Sequence, residues 1–173
     1  MDVNVPSIWT KDSKNFDTDL KSGVVHYPCT PLPGDIGTSY ISGHSSNYAW
    51  VKADYNQIFA KMNDLPDGAT FKVTVVGQDG KDIRLFYVVQ RKTVYEANDQ
   101  AQFTNTADSV VALSTCWPLN TTQKRMVAFG KLDRVENLDD QILRTIKRQT
   151  TQKVGAVMTL DEMGIYGHPD HLA

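Results

Sequence analysis

The chain has 173 residues, of which 40% are hydrophobic, and its 18 basic and 20 acidic side chains give a net charge of −2. This size and composition fit one globular domain with a core of ordinary size. The charges are interspersed, without the Lys and Arg clusters and interleaved aromatic residues of a surface that follows nucleic-acid phosphates, so nucleic acid is excluded as a partner. The printed sequence contains no run of about 18 or more apolar residues that would span a bilayer.

Strand patterns dominate the chain as far as Leu132. Alternating or β-rich apolar runs, separated by turn residues, predict eight short strands. The predicted strands cover residues 3–8, 23–27, 37–41, 70–76, 83–90, 92–97, 109–114 and 125–132. Asp79-Gly80 predicts a hairpin over residues 73–89, because glycine accepts the positive φ of such a turn. Short strands at this spacing are typical of a β-barrel or a sandwich.

Two segments have helical periodicity instead. Apolar side chains between residues 47 and 62 recur on one face, which predicts a short helix that caps one end of the barrel. Residues 137–146 have an N-cap candidate, early acids and late bases, and predict an amphipathic helix. We therefore expect a mainly β domain over residues 1–136 and a C-terminal helical extension and tail, residues 137–173, packed on the same domain.

A cysteine at the end of an apolar run is the first candidate for chemistry. Cys116 ends the run 110–116, and Arg125 begins the run 125–129. Two adjacent strands would bring the thiol, as nucleophile, and the guanidinium, as stabiliser of negative charge, to the same carbonyl. His44 lies in a Gly- and Ser-rich turn directly after a predicted strand, where an exposed imidazole can carry a proton.

The neighbours of Cys116 are candidates for substrate binding. Ser114 and Thr115 offer backbone or hydroxyl hydrogen bonds, and Trp117 either walls a groove or shapes the loop that follows. His26 lies inside a predicted strand, and we expect a structural role for it.

We expect no cofactor and no metal. His168 and His171 flank an aspartate, but chain ends of this kind are most often solvated. The acids of residues 96–108 are too scattered for a calcium site. Cys29 is expected to be a small, partly buried turn residue, and a Cys29–Cys116 disulfide that blocks the nucleophile is the alternative.

Five short pieces follow one another along the chain in a recognisable order. They are Gly-Val-Val-His-Tyr-Pro (23–28), Leu-Pro-Gly (32–34), Ile-Ser-Gly-His (41–44), Leu-Ser-Thr-Cys (113–116) and Arg125 at the start of a strand. Together they resemble the sortases, cysteine transpeptidases of the bacterial cell surface, over about residues 3–132. Leu-Ser-Thr-Cys is similar to the family signature Thr-Leu-Thr-Thr-Cys and departs from it at Ala112 and Ser114. Cys29 stands where many relatives carry glycine.

This resemblance implies a fold and a reaction. The implied fold is a sortase-like, eight-stranded closed β-barrel that binds an extended LPXTG-like sorting signal in a groove. Cys116 would attack the carbonyl after the threonine, and Arg125 would hold the oxyanion or anchor the peptide. His44 would protonate the departing glycine amine and then accept a proton from the incoming amine. A thioester and its aminolysis would transfer the protein to an amine acceptor, either a peptidoglycan precursor or a pilin lysine.

The resemblance also implies a location. Sortases act at the extracytoplasmic face of the bacterial cell membrane and usually carry an N-terminal anchor. We expect this chain to be the extracytoplasmic domain without that anchor, which would be its only link to the membrane, and a naturally soluble protein is the alternative. The polar residues 11–21 are expected to form a surface connection, with a lid over the groove as the alternative.

Two other functions are alternatives to a transpeptidase. A papain-like cysteine hydrolase fits poorly, because such enzymes place the cysteine before the histidine and at the start of a helix. A non-catalytic, peptide-binding β-barrel would use the same groove, and replacement of any of the three site residues would favour it. All three are present.

Overall fold

The computed structural model describes residues 3–9, 13–46, 55–76, 82–137 and 156–160, and within them the protein is mainly β, as predicted. The strands are β1 Val3–Trp9, β2 Val24–His26, β3 Gly37–Ser42, β4 Thr70–Val75, β5 Ile83–Glu96, β6 Ser109–Trp117, β7 Lys124–Asn137 and β8 Ala156–Leu160. The helical elements are α1 Phe16–Asp19 and the 3₁₀ helices Ser13–Asn15, Met62–Asp64 and Gln100–Phe103. Among the described residues, no helix is long and apolar enough to cross a membrane.

The strands form one curved sheet. Strands β1 to β7 pair in the order β1-β2-β3-β6-β7-β5-β4, a seven-stranded half-barrel with β1 and β4 at its two edges. The short β8 pairs antiparallel with both edges. The pairs β1–β2 and β3–β6 are parallel, and the β3–β6 pair is the one that positions the site.

Six predicted strands correspond one to one with β1–β4, β6 and β7. The other two are wrong as separate strands, and β8 was not predicted. Residues 83–90 and 92–97 form the single strand β5, because a register shift between Val89 and Arg91 lets it continue through the polar residues at its centre. β8 falls in the stretch predicted as a helical extension. The hairpin is confirmed, since β4 and β5 pair antiparallel from Thr70 opposite Val88 to Val75 opposite Ile83.

The segment predicted to form a capping helix, residues 47–62, is not α-helical in its described part. Residues 47–54 lie outside the described residues, residues 55–61 form turns, and Met62–Asp64 is a 3₁₀ helix. The backbone bonds here span three residues, as from the Met62 N–H to the Phe59 carbonyl at 3.1 Å. Ile58, Phe59 and Met62 are nevertheless buried, so the apolar pattern reported burial and not helix type. Of the predicted helix 137–146, Asn137 ends β7 and the rest lies outside the described residues.

The sheet is buried on both faces near β6. Leu113 belongs to the main core inside the curve, with the large side chains of Ile41, Phe71 and Tyr87. Its neighbour Ala112 points the other way, into a second buried cluster with Tyr40, Val127 and Phe129. Phe103 packs against this outer cluster, so the segment that carries Phe103 covers the outside of the sheet.

Candidate active site

The parallel pairing of β3 with β6 brings the histidine turn beside the cysteine. Its register runs from Gly37 opposite Ser109 to Ser42 opposite Ser114. Beyond the end of β3 the Gly43 N–H still donates to the Ser114 carbonyl at 3.0 Å. His44 follows Gly43 directly, so the histidine turn lies against the end of β6 that carries Cys116.

Hydrogen bonds on each side of His44 fix this turn. The Thr115 hydroxyl donates to the Gly43 carbonyl at 2.7 Å, and the buried Ser45 hydroxyl donates to the Cys116 carbonyl at 2.9 Å. The Phe59 N–H donates to the His44 carbonyl at 2.9 Å. The backbone of His44 is therefore held to β6 and to the main core, while its ring is half-buried at the surface.

Arg125 lies opposite Cys116 on the neighbouring strand. The antiparallel pairing of β6 with β7 sets Cys116 opposite Arg125, and the pairing of β7 with β5 sets Arg125 opposite Tyr95. The Arg125 guanidinium donates to the carbonyls of Thr122 and Lys124 at 3.1 and 3.0 Å, which ties it to the β6–β7 loop. Cys116 and Arg125 are both half-buried, so neither side chain is sealed from solvent.

The surroundings of His44 favour its neutral form. Burial lowers the pKa of His44 below its ordinary value of 6.5, and the negative charge of Asp17 in α1 partly opposes that shift. A lowered pKa means that the ring gives up its proton more readily, so at neutral pH the imidazole is a proton acceptor. A neutral imidazole can act as a base toward a thiol and, once protonated, as an acid.

A model of the Sortase domain matches residues 1–133. The chain belongs to the sortase family. The resemblance seen in the sequence is thus confirmed. A separate comparison with curated protein sequences found no match.

Solved sortases share its fold. Sortase C-1 from Actinomyces oris is 26% identical, with a TM-score of 0.60 over 76% of this chain and 68% of that one. Sortase A from Listeria monocytogenes is 19% identical, with a TM-score of 0.58 over 83% and 88% of the two chains. Sortase C1 from Streptococcus suis is 20% identical, with a TM-score of 0.59 over 76% and 67%. The expectation of a mainly β, sortase-like fold is confirmed.

The residues predicted to bind substrate around Cys116 are engaged inside the protein. The Ser114 hydroxyl is buried against Tyr40, and the Thr115 hydroxyl is buried and bonded to Gly43. Trp117 is half-buried and packs against the main core. The structure thus gives these three side chains contacts within the protein, and their role in substrate binding stays a prediction.

The two remaining candidates have simpler roles. The structural role expected for His26 is confirmed: it is buried, and its Nε2 lies 2.8 Å from the Pro31 carbonyl oxygen. Both cysteines of this sortase are free thiols. Cys29 is exposed, in contrast to the partly buried residue expected, and its φ of 64° is in the region that favours glycine.

Within the described ranges, no group of three or more His, Cys, Asp or Glu side chains could hold a metal ion. His168 and His171 lie outside those ranges.

Sequence reasoning missed Tyr40, Ser45 and Gln102, whose partners lie 62 to 74 residues away along the chain. No local pattern signals contacts of that separation.

Proposed function

We propose that this chain is a cysteine transpeptidase that cleaves an LPXTG-like sorting signal after the threonine and transfers the protein to an amine. The observation that carries the proposal is that the turn holding His44 is bonded to the end of β6, where Cys116 pairs with Arg125. Membership of the sortase family supports the same reaction.

The first half of the reaction forms a thioester. His44 takes the thiol proton, and the Cys116 sulfur attacks the threonine carbonyl carbon. The Arg125 guanidinium stabilises the oxyanion of the tetrahedral intermediate or anchors the peptide beside it. The C–N bond to glycine then breaks, and His44 delivers its proton to the departing amine.

The second half returns the enzyme to its starting state. An incoming primary amine attacks the thioester carbonyl, and His44 accepts the proton that this amine loses. The C–S bond breaks, and the proton goes to the Cys116 sulfur. The product is a new amide, and the thiol, imidazole and guanidinium supply the whole mechanism without a cofactor or a metal.

The finer assignments follow from this reaction. We place the catalytic domain in residues 1–136, and we propose that β8, from the 137–173 extension, closes the sheet into an eight-stranded barrel. We place the enzyme at the extracytoplasmic face of the bacterial membrane. Its partners there are an LPXTG-like sorting-signal peptide and an amine acceptor, either a peptidoglycan precursor or a pilin lysine.

An assay with a fluorogenic Leu-Pro-any residue-Thr-Gly peptide, with and without triglycine, tests the proposal. We expect an amide product that contains triglycine. Cys116→Ala should abolish it, His44→Ala should lower kcat/KM by about 10²–10⁴-fold, and Arg125→Ala by about 10²–10³-fold. Cys29→Gly is the matched control, since it removes the other thiol at a position whose φ suits glycine, and it should leave kcat/KM within about twofold.

The same assay separates the two alternatives. Cleavage with no triglycine product selects a hydrolase. Binding of the peptide with no turnover selects a non-catalytic barrel. Full activity in Cys116→Ala would contradict the proposal outright.

A further inference from the structure

A segment outside the sheet covers the outer cluster next to Cys116. We call residues 97–104 the covering segment. Its first residue is held by a bond from the Ala97 N–H to the Gln123 carbonyl at 3.2 Å, and its last by a bond from the Thr38 hydroxyl to the Thr104 carbonyl at 2.7 Å. The middle of the segment is held by Gln102, which reaches Tyr40 under the cover.

The hydrogen bonds at Tyr40 have a fixed direction. The Gln102 side-chain NH₂ donates to the carbonyls of Ala97 and Asp99 at 3.3 and 2.8 Å, so its amide oxygen faces Tyr40. The Tyr40 hydroxyl oxygen lies 2.7 Å from that amide oxygen and 2.7 Å from the Ser114 hydroxyl oxygen. An amide oxygen only accepts, so the single Tyr40 proton goes to Gln102 and the Ser114 hydroxyl donates to Tyr40.

The three side chains of this hydrogen-bonded link are buried. Tyr40 is 2% exposed, Gln102 4% and Ser114 1%. Burial raises the pKa of Tyr40 to about 12, against the opposing effects of the Ser114 bond and the Arg125 charge, so its proton is kept at neutral pH. Loss of the hydroxyl would leave a buried amide oxygen without a donor, which costs more than an ordinary hydrogen bond is worth.

Ser114, the β6 residue of this link, lies two positions before the candidate nucleophile Cys116. Ser114 and Cys116 lie on the same face of β6, because alternate residues of a strand share a face. A peptide bound over Cys116 and Arg125 therefore lies beside the covering segment. Ring contacts add to the link, since Phe103 lies 4.6 Å from Tyr40 and 5.0 Å from Tyr27 between ring centres.

We propose that Tyr40 is a positioning residue, which through Gln102 holds the covering segment against β6 and so fixes one wall of the peptide groove. The kinetic part of this inference rests on the proposed function, and the structural part does not. Tyr40 acts on the placement of the peptide and not on the reacting bonds, so its loss affects peptide binding more than the chemical step.

Tyr40→Phe tests this, because it removes the hydroxyl and keeps the ring. We expect KM for the sorting peptide to rise about five- to tenfold while kcat stays within about twofold. Amide hydrogen exchange in residues 97–104 should quicken by a similar factor. Gln102→Leu should reproduce both effects, and the double variant should be no worse than either single one, because both changes break the same link.

Tyr87→Phe is the matched control. Tyr87 is 0% exposed, and its hydroxyl accepts from the Gly34 N–H at 2.9 Å and lies 3.4 Å from the hydroxyl oxygen of Ser109, at the other end of β6. It should lower stability but leave KM and the exchange of residues 97–104 unchanged. Unchanged exchange in Tyr40→Phe would overturn the inference. An unmodified chain that turns over no sorting peptide would refute the proposed function instead, and exchange would still decide the role of Tyr40.

Discussion

Gly43 shows how closely the histidine turn is packed at the residue scale. A Cβ at this position would lie 2.7 Å from two carbons of the Phe59 ring and 3.0 Å from Ile58. Phe59 is also the residue whose N–H binds the His44 carbonyl. The close approach that places His44 beside β6 therefore depends on the absence of a side chain at residue 43.

Gly43→Ala should lower both stability and activity. The methyl group collides with a buried ring, which costs about 1–3 kcal/mol of unfolding free energy. Relief of the collision moves the turn, so kcat/KM for the sorting peptide should fall by about tenfold or more at a temperature where the variant is fully folded. Chemical denaturation and steady-state kinetics measure the two effects.

Gly130→Ala separates stability from activity. A Cβ there would collide with the Phe71 ring, inside the main core and away from the histidine turn. This variant should lose stability and keep kcat/KM within about twofold. Equal losses of kcat/KM in both glycine variants would contradict a specific role for the packing at Gly43.

At the element scale, local patterns predicted where the strands lie better than which strands pair with one another. The ends of β1–β4 agree with the sequence prediction to within one residue, because apolar alternation reports directly on burial. The adjacency of Cys116 and Arg125 was also predictable, since a short loop joins two antiparallel strands. The approach of His44 was not, because the parallel β3–β6 pair joins segments about 72 residues apart. Only the family resemblance indicated it.

Other elements could not be predicted from the sequence, for reasons that the structure shows. Strand β5 crosses the polar residues Gln90 and Arg91, which resemble a break between two strands until the register shift is seen. Strand β8 is five residues long and lies in a stretch of polar character. The Tyr40–Gln102 link depends on the covering segment, whose sequence has no regular period.

The role of β8 leads to a prediction for the C-terminal extension. Without it, the backbone groups of β1 and β4 that now pair with β8 would be left as open edges, which favour aggregation. A chain that ends after residue 137 should unfold at a lower temperature, by about 4 °C for each kcal/mol lost, and should scatter more light on heating. Scanning calorimetry with light scattering measures both.

A chain that ends after Leu160 is the control for this truncation, because it keeps β8. It should unfold near the temperature of the full chain. If the two truncated chains unfold at the same temperature, β8 adds nothing to the sheet and the barrel is not closed by it.

At the scale of the whole molecule, the site lies where the two buried clusters meet the surface. The main core holds the histidine turn through Phe59, and the outer cluster holds β6 and the covering segment through Tyr40. His44, Cys116 and Arg125 are all half-buried at the margin of these clusters. Burial at this margin also lowers the pKa of His44, which suits a base for the thiol.

The proposed reaction requires Cys116 to carry the acyl group between donor and acceptor. Intact-mass spectrometry of the chain, mixed with an LPXTG peptide without an amine and quenched in acid, tests it most directly. We predict that the mass of the chain increases by that of the peptide up to its threonine, that digestion locates this addition on the fragment that contains Cys116, and that triglycine releases it as an amide. Turnover with no adduct, or an adduct on Cys29, would contradict this role of Cys116.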